Sequence, residues 1–181
     1  MLSRLYSDIQ VVQLDEHIFE QAKKFAADVA STTDYRDSNQ TTKAKIQEDH
    51  YISKLGEEAA KRVLSSFAKV SGPDYSIYQG KNKSWKDDLY IGNDGLAVKT
   101  QKRSAANRYG LSWVFQCGPT RKDIILNRPD AWVIFVEYND LGANSFRVFP
   151  MFQVKELVFK DPVLAHLRGH KRVVYANTLK W

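Results

Sequence analysis

Cysteine is nearly absent from this chain: Cys117 stands alone, so no internal disulfide can form, and a reducing compartment such as the cytoplasm is the expected setting. No apolar run approaches the length of a membrane span, which excludes a spanning helix and with it a membrane partner. Met1 to Gln13 lacks the apolar core followed by small residues that marks a secretory leader. There is no Walker loop, no G-x-S-x-G, no dinucleotide-binding glycine pattern, no cysteine cluster and no internal repeat. Several large enzyme classes lose their usual signature on that count.

What is present is ordinary in amount: 181 residues, 43% hydrophobic and 27% charged, are expected to form one soluble domain over residues 1–181. Within it, residues 1–44 read as a helical N-terminal portion and residues 45–181 as the core with a C-terminal extension. The charge is less ordinary. A formal net charge of +6 and a pI near 9.3 favour a polyanionic partner, because each neutralised phosphate releases counterions. Where those charges sit matters more than their sum.

Periodicity places the helices. Met1 to Gln13 has no clean period and is assigned no element. From Asp15, a capping residue, the positions Ile18, Phe19, Ala22, Phe25, Ala26 and Val29 recur on one face and predict a helix of roughly 14 residues. The polar stretch Ser31 to Thr42 reads as a loop. A second helix is expected over Lys45 to Ala68, with a break near Asp49 and with Ile52, Leu55, Ala59, Ala60, Val63, Leu64 and Phe67 on its apolar half. Glu57 lies at the edge of that half and Glu58 points away, so Glu57 is either drawn into a site or a solvated helix charge. Ser71-Gly72-Pro73 stops the helix, and Asp74 to Tyr78 can form a first strand before the loop Gln79 to Lys86, which carries Lys81, Lys83 and Lys86.

The most informative stretch is Asp88 to Gln101, DLYIGNDGLAVKTQ. Two alternating runs flank Gly92-Asn93-Asp94-Gly95, and this predicts a β-hairpin. With all four residues in the loop, Ile91 faces Leu96, Leu89 faces Val98 and Asp88 faces Lys99. Leu89, Ile91, Leu96, Val98 and Thr100 then share a core face, while Asp88, Tyr90, Ala97, Lys99 and Gln101 share the other.

An acid opening one strand and a lysine in the next resembles the PD-(D/E)xK nuclease superfamily. That resemblance extends from about Lys54 to Val158 and implies a restriction-endonuclease-like fold: an α/β protein with a mixed central sheet flanked by helices. It implies an endonuclease cutting double-stranded DNA with Mg²⁺ or Mn²⁺, Asp88 as a metal ligand, Lys99 as the lysine that orients water, and Gln101 supporting water or phosphate. Two copies acting together would fit double-strand cutting. Ala97 stands where the family has its second acid, and a single carboxylate seldom holds Mg²⁺ without help. Three explanations compete: a non-cutting relative, an acid moved to the neighbouring helix with Glu57 as substitute ligand, or a deliberate acid-to-alanine change. The well-kept surroundings favour the last. Pro73-Asp74 resembles the name-giving dipeptide but precedes Lys99 by a further strand and loop, so Asp88 is preferred; Asp87 would fall on the core face after a one-residue slip.

Beyond the hairpin, Lys102, Arg103, Asn107 and Arg108 would contact the DNA backbone under this resemblance, or form a solvated loop without it. Ala131 to Glu137 reads as a strand buried on both faces, Phe146 to Phe152 as the next strand, Gln153 to Val158 as the start of a short helix and Arg172 to Tyr175 as an edge strand. His166 and His170 are spaced for one helix face, but Gly169 between them favours surface or phosphate-contacting histidines over a zinc site. Trp85 could stack on a base. Two other functions stay open: a non-catalytic DNA-binding module on the same fold, and an interaction domain that binds no nucleic acid.

Overall fold

In the computed structural model, residues 2–32, 42–78 and 86–181 are described; Lys81, Lys83, Trp85 and most of the Ser31 to Thr42 stretch lie outside them. The architecture is mixed α/β. Helix α1 (Glu16–Thr32) packs on helix α2 (Lys43–Leu64), and a short α3 (Arg103–Tyr109) follows the central hairpin. The main sheet runs in the order β1 (Gln10–Gln13), β7 (Ser145–Val148), β6 (Trp132–Asn139), β4 (Asp94–Lys102), β3 (Leu89–Ile91), β2 (Val70–Ser71), with β8 (Phe152–Gln153) also on β6. The β4–β6 pair is parallel and the other pairs are antiparallel. A separate ribbon pairs β5 (Ser112–Gln116) with β9 (Lys171–Tyr175).

Strand β6 explains the layering. Its side chains alternate, and both faces are buried as its continuous apolar sequence requires. Ile134 and Val136 join Leu89, Leu96 and Val98 against Leu55, Ala59 and Val63 of α2, while Val133 and Phe135 join Trp113, Phe115 and Val174 of the ribbon. The sheet is therefore covered by helices on one side and by the β5–β9 ribbon on the other.

Several expectations are corrected. The N-terminal stretch contributes β1, whose Val11 is exposed and whose Val12 packs on the core; one alternating pair was too short a signal. Helix α2 is not broken at Asp49. It begins earlier because Thr42 Oγ1 accepts the Lys45 amide at 3.3 Å, and Lys45 pairs with Asp49 at 2.7 Å across that turn. It ends at Leu64, before Ala68.

Asp74 to Tyr78 is not a strand: the Asp74 carboxylate accepts the Ser76 amide at 2.8 Å and the Tyr78 hydroxyl at 2.7 Å, local bonds that take the place of a ladder. The basic stretch after the hairpin is helix α3 rather than a loop. Phe146 to Phe152 is split into β7 and β8, Val154–Glu156 forms a single 3₁₀ turn, and β9 pairs with β5 instead of extending the main sheet.

The hairpin itself is tighter than the sequence suggested. Leu89 pairs with Leu96 and Ile91 with Asp94, leaving only Gly92 and Asn93 in the loop. Gly92 has φ 60°, the left-handed value that the first position of a type II′ hairpin turn needs. A second device selects this register: a Cβ on Gly95 would overlap the Asp87 carboxylate, which is clamped by Arg128 at 2.9 and 3.0 Å. The shift is by two residues, so Leu89, Ile91, Leu96, Val98 and Thr100 keep their predicted face. Asp88 does not share a face with Lys99 as expected, because its carboxylate accepts the Val98 amide and lines the cavity beside Glu57. Nor does it stand across from Lys99; continuing the register puts it opposite Ala97.

Candidate functional site

Helix α2 and the start of β3 bring the acids together. Gly56 has no side chain to hold α2 off the sheet, and a Cβ there would collide with Thr100 of β4. This close approach leaves the neighbouring Glu57 buried at the sheet surface. Asp88 sits just before β3. Its amide donates to Leu96 O at 3.0 Å, and its Oδ2 accepts the Val98 amide at 2.7 Å, so a side chain continues the ladder where the strand has ended.

Glu57 and Asp88 line one cavity of about 320 Å³, together with Phe25, His50, Lys54 and Asp74. Burial pushes the Glu57 carboxyl up to about 8, and the charge on Asp88 adds to the rise while Lys54 opposes it. Asp88 is also raised by burial, against the Val98 amide and the charges of Lys99 and Lys54. A buried acid whose charge is disfavoured by burial and by a neighbouring carboxylate is a place for a proton or a cation.

The lysines are arranged around this pair. Lys54 Nζ lies 2.5 Å from Glu57 Oε2, with both side chains buried, and stands over the rings of Phe25 at 5.1 Å and Tyr75 at 5.5 Å. Lys99 projects to the opposite face. Its ammonium donates to Asp123 Oδ2 at 2.8 Å and lies 4.8 Å from the centre of the Phe115 ring. Asp123 is fixed in turn by accepting the Gln116 amide at 3.1 Å.

The candidate catalytic residues singled out in the sequence each have a place. Glu57 and Asp88 share the cavity, and Lys99 acts on Asp88 electrostatically although its direct partner is Asp123. Gln101 is used elsewhere: its Oε1 accepts the Ser112 amide at 2.8 Å, tying β4 to the ribbon. Ala97 is half-buried against the ribbon-side core, the layer of Phe135 and Phe115. Glu58 accepts the Tyr75 hydroxyl at 3.0 Å outside the pair.

The basic residues after the hairpin are largely neutralised. Lys102 pairs with Glu48, and Arg103 makes a two-pronged contact with Glu137 at 3.0 and 3.2 Å. Arg147 holds the same Glu137 at 2.8 Å, and the two guanidiniums outweigh burial and keep its carboxyl below the usual range. Asn107 and Arg108 are exposed on α3, and Lys86 lines the cavity mouth. His166 lies in a 3₁₀ turn with His170 beyond it, so the one-face spacing of an α-helix is not formed. Among the described residues, no group of three or more His, Cys, Asp or Glu is clustered to hold a metal, and no helix is long and apolar enough to cross a membrane.

Four residues of the site were not credited from the sequence. Lys54 was legible in principle, one turn before Glu57 at ion-pair spacing. Asp74, set aside in favour of Asp88, lines the same cavity. Hydrogen bonds from Ser76 and Tyr78 outweigh its burial and keep it below the usual carboxylate range. Asp123 and Arg121 carry no local signal, being brought in by the ribbon. Comparison with protein-family models, with curated proteins and with solved structures gives no match.

Proposed function

We propose that this chain is a metal-dependent DNA endonuclease of restriction-endonuclease-like fold in which Glu57 takes the part of the acid missing at position 97. The observation that carries this reading is the convergence of Glu57, from the helix before the hairpin, and Asp88, from the hairpin itself, on one cavity. Burial and the nearby Asp88 charge both disfavour an unaccompanied charge on Glu57, which supports a cation beside it. Two carboxylates suit Mg²⁺ or Mn²⁺, hard ions usually held by one or two carboxylates together with substrate phosphates.

Glu57 and Asp88 would hold the ion. When bound, it supplies Lewis acidity toward the phosphate and a water of lowered pKa. Lys99, held by Asp123 on the ribbon side, does not line the cavity and would act on the reaction only through the field it exerts at Asp88. Lys54 keeps the Glu57 carboxyl in one orientation against the aromatic wall. Ala97 needs no deliberate change in this scheme, because its side chain packs on the ribbon side of the sheet, away from α2.

Plasmid DNA incubated with Mg²⁺ or Mn²⁺ tests the proposal. The chain as it stands is expected to nick or cut, and Glu57→Gln and Asp88→Asn to stop it. Cleavage only after Ala97→Glu would instead restore the lost-acid explanation. One observation favours a second reading, a DNA-binding module without catalysis: Lys54 on Glu57 and Lys99 on Asp123 already form two ion pairs. Salt-sensitive DNA binding indifferent to Mg²⁺, with no cleavage by either form, would establish it.

A further inference from the structure

The ends of the β5–β9 ribbon carry a concentration of positive charge unused in the preceding scheme. Residues 118–123 and 168–172 supply Arg121, Lys122, Arg168, Lys171 and Arg172, with Asp123 as the sole carboxylate in the two segments. The segments are joined into one rim. Gln116 pairs with Lys171, the Cys117 amide donates to His170 O at 2.9 Å, and Cys117 bridges to Lys122. Asp123 is already occupied by Lys99.

The contrast with the rest of the molecule is informative. Lys54, Lys99, Lys102, Arg103, Arg128 and Arg147 each have a carboxylate partner. Among the described residues, Arg121, Lys122, Lys171 and Arg172 have none. Lys171 is half-buried near Arg121 and Lys45, and burial and these two cations outweigh Asp49 and Asp123, holding its ammonium below the usual lysine range. Like charges that outweigh their nearby acids cost free energy in the free protein, and a polyanion recovers it. Position selects the polyanion: Arg121 lines the same cavity as Glu57 and Asp88, so the rim adjoins the proposed reaction site.

We infer that the rim formed by residues 118–123 and 168–172 is a phosphate track for the backbone of duplex DNA, with Arg121 as its contact at the cavity and Lys171 beside Arg121. This inference rests on the nuclease reading for the identity of the ligand. It moves the main DNA contact away from Lys102 and Arg103, whose charges are neutralised within the protein.

Fluorescence anisotropy of a labelled duplex in EDTA, titrated across a range of KCl concentrations, tests the inference without cleavage. Arg121→Ala/Lys171→Ala should bind about tenfold to a hundredfold more weakly at low salt, and the slope of log K against log salt should fall by about 0.9 for each lost phosphate contact. The charge-preserving Arg121→Lys/Lys171→Arg should restore most of both, and thermal melting verifies that each variant is folded. Lys69→Ala/Lys180→Ala removes two exposed lysines without an ion pair among the described residues and should leave binding unchanged. Wild-type affinity and slope in the Arg121→Ala/Lys171→Ala protein would overturn the inference. Equal displacement of DNA by polyglutamate at matched charge would also overturn it, in favour of an acidic protein partner. The two readings fail separately: a protein that cuts DNA but binds it independently of the rim removes only the track, and one that binds through the rim but never cuts removes only the catalysis.

Discussion

Gly56 of α2 lies directly against Thr100 of β4, with no room for a Cβ between them. Thr100 Oγ1 is buried there without a hydrogen-bond partner among the described residues. Gly56→Ala should therefore cost about 1–3 kcal/mol by overpacking, and by lifting α2 it should also displace Glu57 from Asp88. Thr100→Val keeps the shape and removes the orphaned hydroxyl, so it should raise stability by about 1 kcal/mol. Urea denaturation of both variants checks the pair; an unaffected Gly56→Ala protein would mean that the helix does not sit this close.

Glu57 gives metal-free stability a distinctive pH dependence. Its folded value of about 8 lies above the ordinary 4.5, so between these values the folded protein retains a proton that the unfolded chain has lost. Stability should fall as pH rises through that window. In EDTA, melting temperatures of Glu57→Gln should decline less steeply from pH 5 to 8 than those of the unaltered chain, and parallel curves would contradict the raised value.

Glu137 should act in the opposite direction. Held below the ordinary carboxylate range by Arg103 and Arg147, it stabilises the fold above its unfolded pKa, and that contribution is lost as pH falls through the lower folded one. Glu137→Gln should cost about 1–3 kcal/mol at neutral pH and less in acid. Denaturation at pH 7 and pH 3 measures the difference; an equal loss at both would assign the effect to packing alone.

Lys99 and Asp123 separate chemistry from binding. If Lys99 stabilises charge during cleavage, Lys99→Met should lower the cleavage rate by at least about a hundredfold. Asp123→Ala, which frees the ammonium without removing it, should lower the rate less. Single-turnover cleavage of a defined duplex makes the comparison. Retained cutting in Lys99→Met would exclude the lysine from the reaction.

Much of the sheet was legible because the burial of its two faces is written into alternation. The runs Leu89 to Ile91 and Leu96 to Thr100 carry their facing directly, which the hairpin shift by two left intact, and the continuous apolar run Ala131 to Glu137 marks a strand covered on both sides. Register was harder. Gly92-Asn93-Asp94-Gly95 satisfies both a two- and a four-residue turn, and the choice is made by the Asp87–Arg128 clamp over Gly95, whose halves are 41 positions apart.

The site divides in the same way. Glu57 and Asp88 announced themselves through local pattern and a resemblance, whereas Asp123 and Arg121 reach the site only because the ribbon folds over the sheet. Ala97 was informative for the opposite reason. The residue that looked like a missing acid packs into an apolar layer, and the cavity draws its acids from elsewhere.

Strand β1 carries a consequence for how the chain acquires its shape during synthesis. Gln10 to Gln13 pair with Ser145 to Val148, the Tyr6 hydroxyl donates to Phe149 O at 2.8 Å, and Arg4 Nε donates to Met151 O at 2.7 Å. Residues 4–13 thus wait for partners more than 130 positions further along the chain. Contacts of such long sequence separation slow folding, since loop-closure entropy must be met before they form. The sheet edge next to β7 therefore closes late, and a nascent chain stalled before residue 145 would leave Val136 to Asn139 of β6 without their pairing strand.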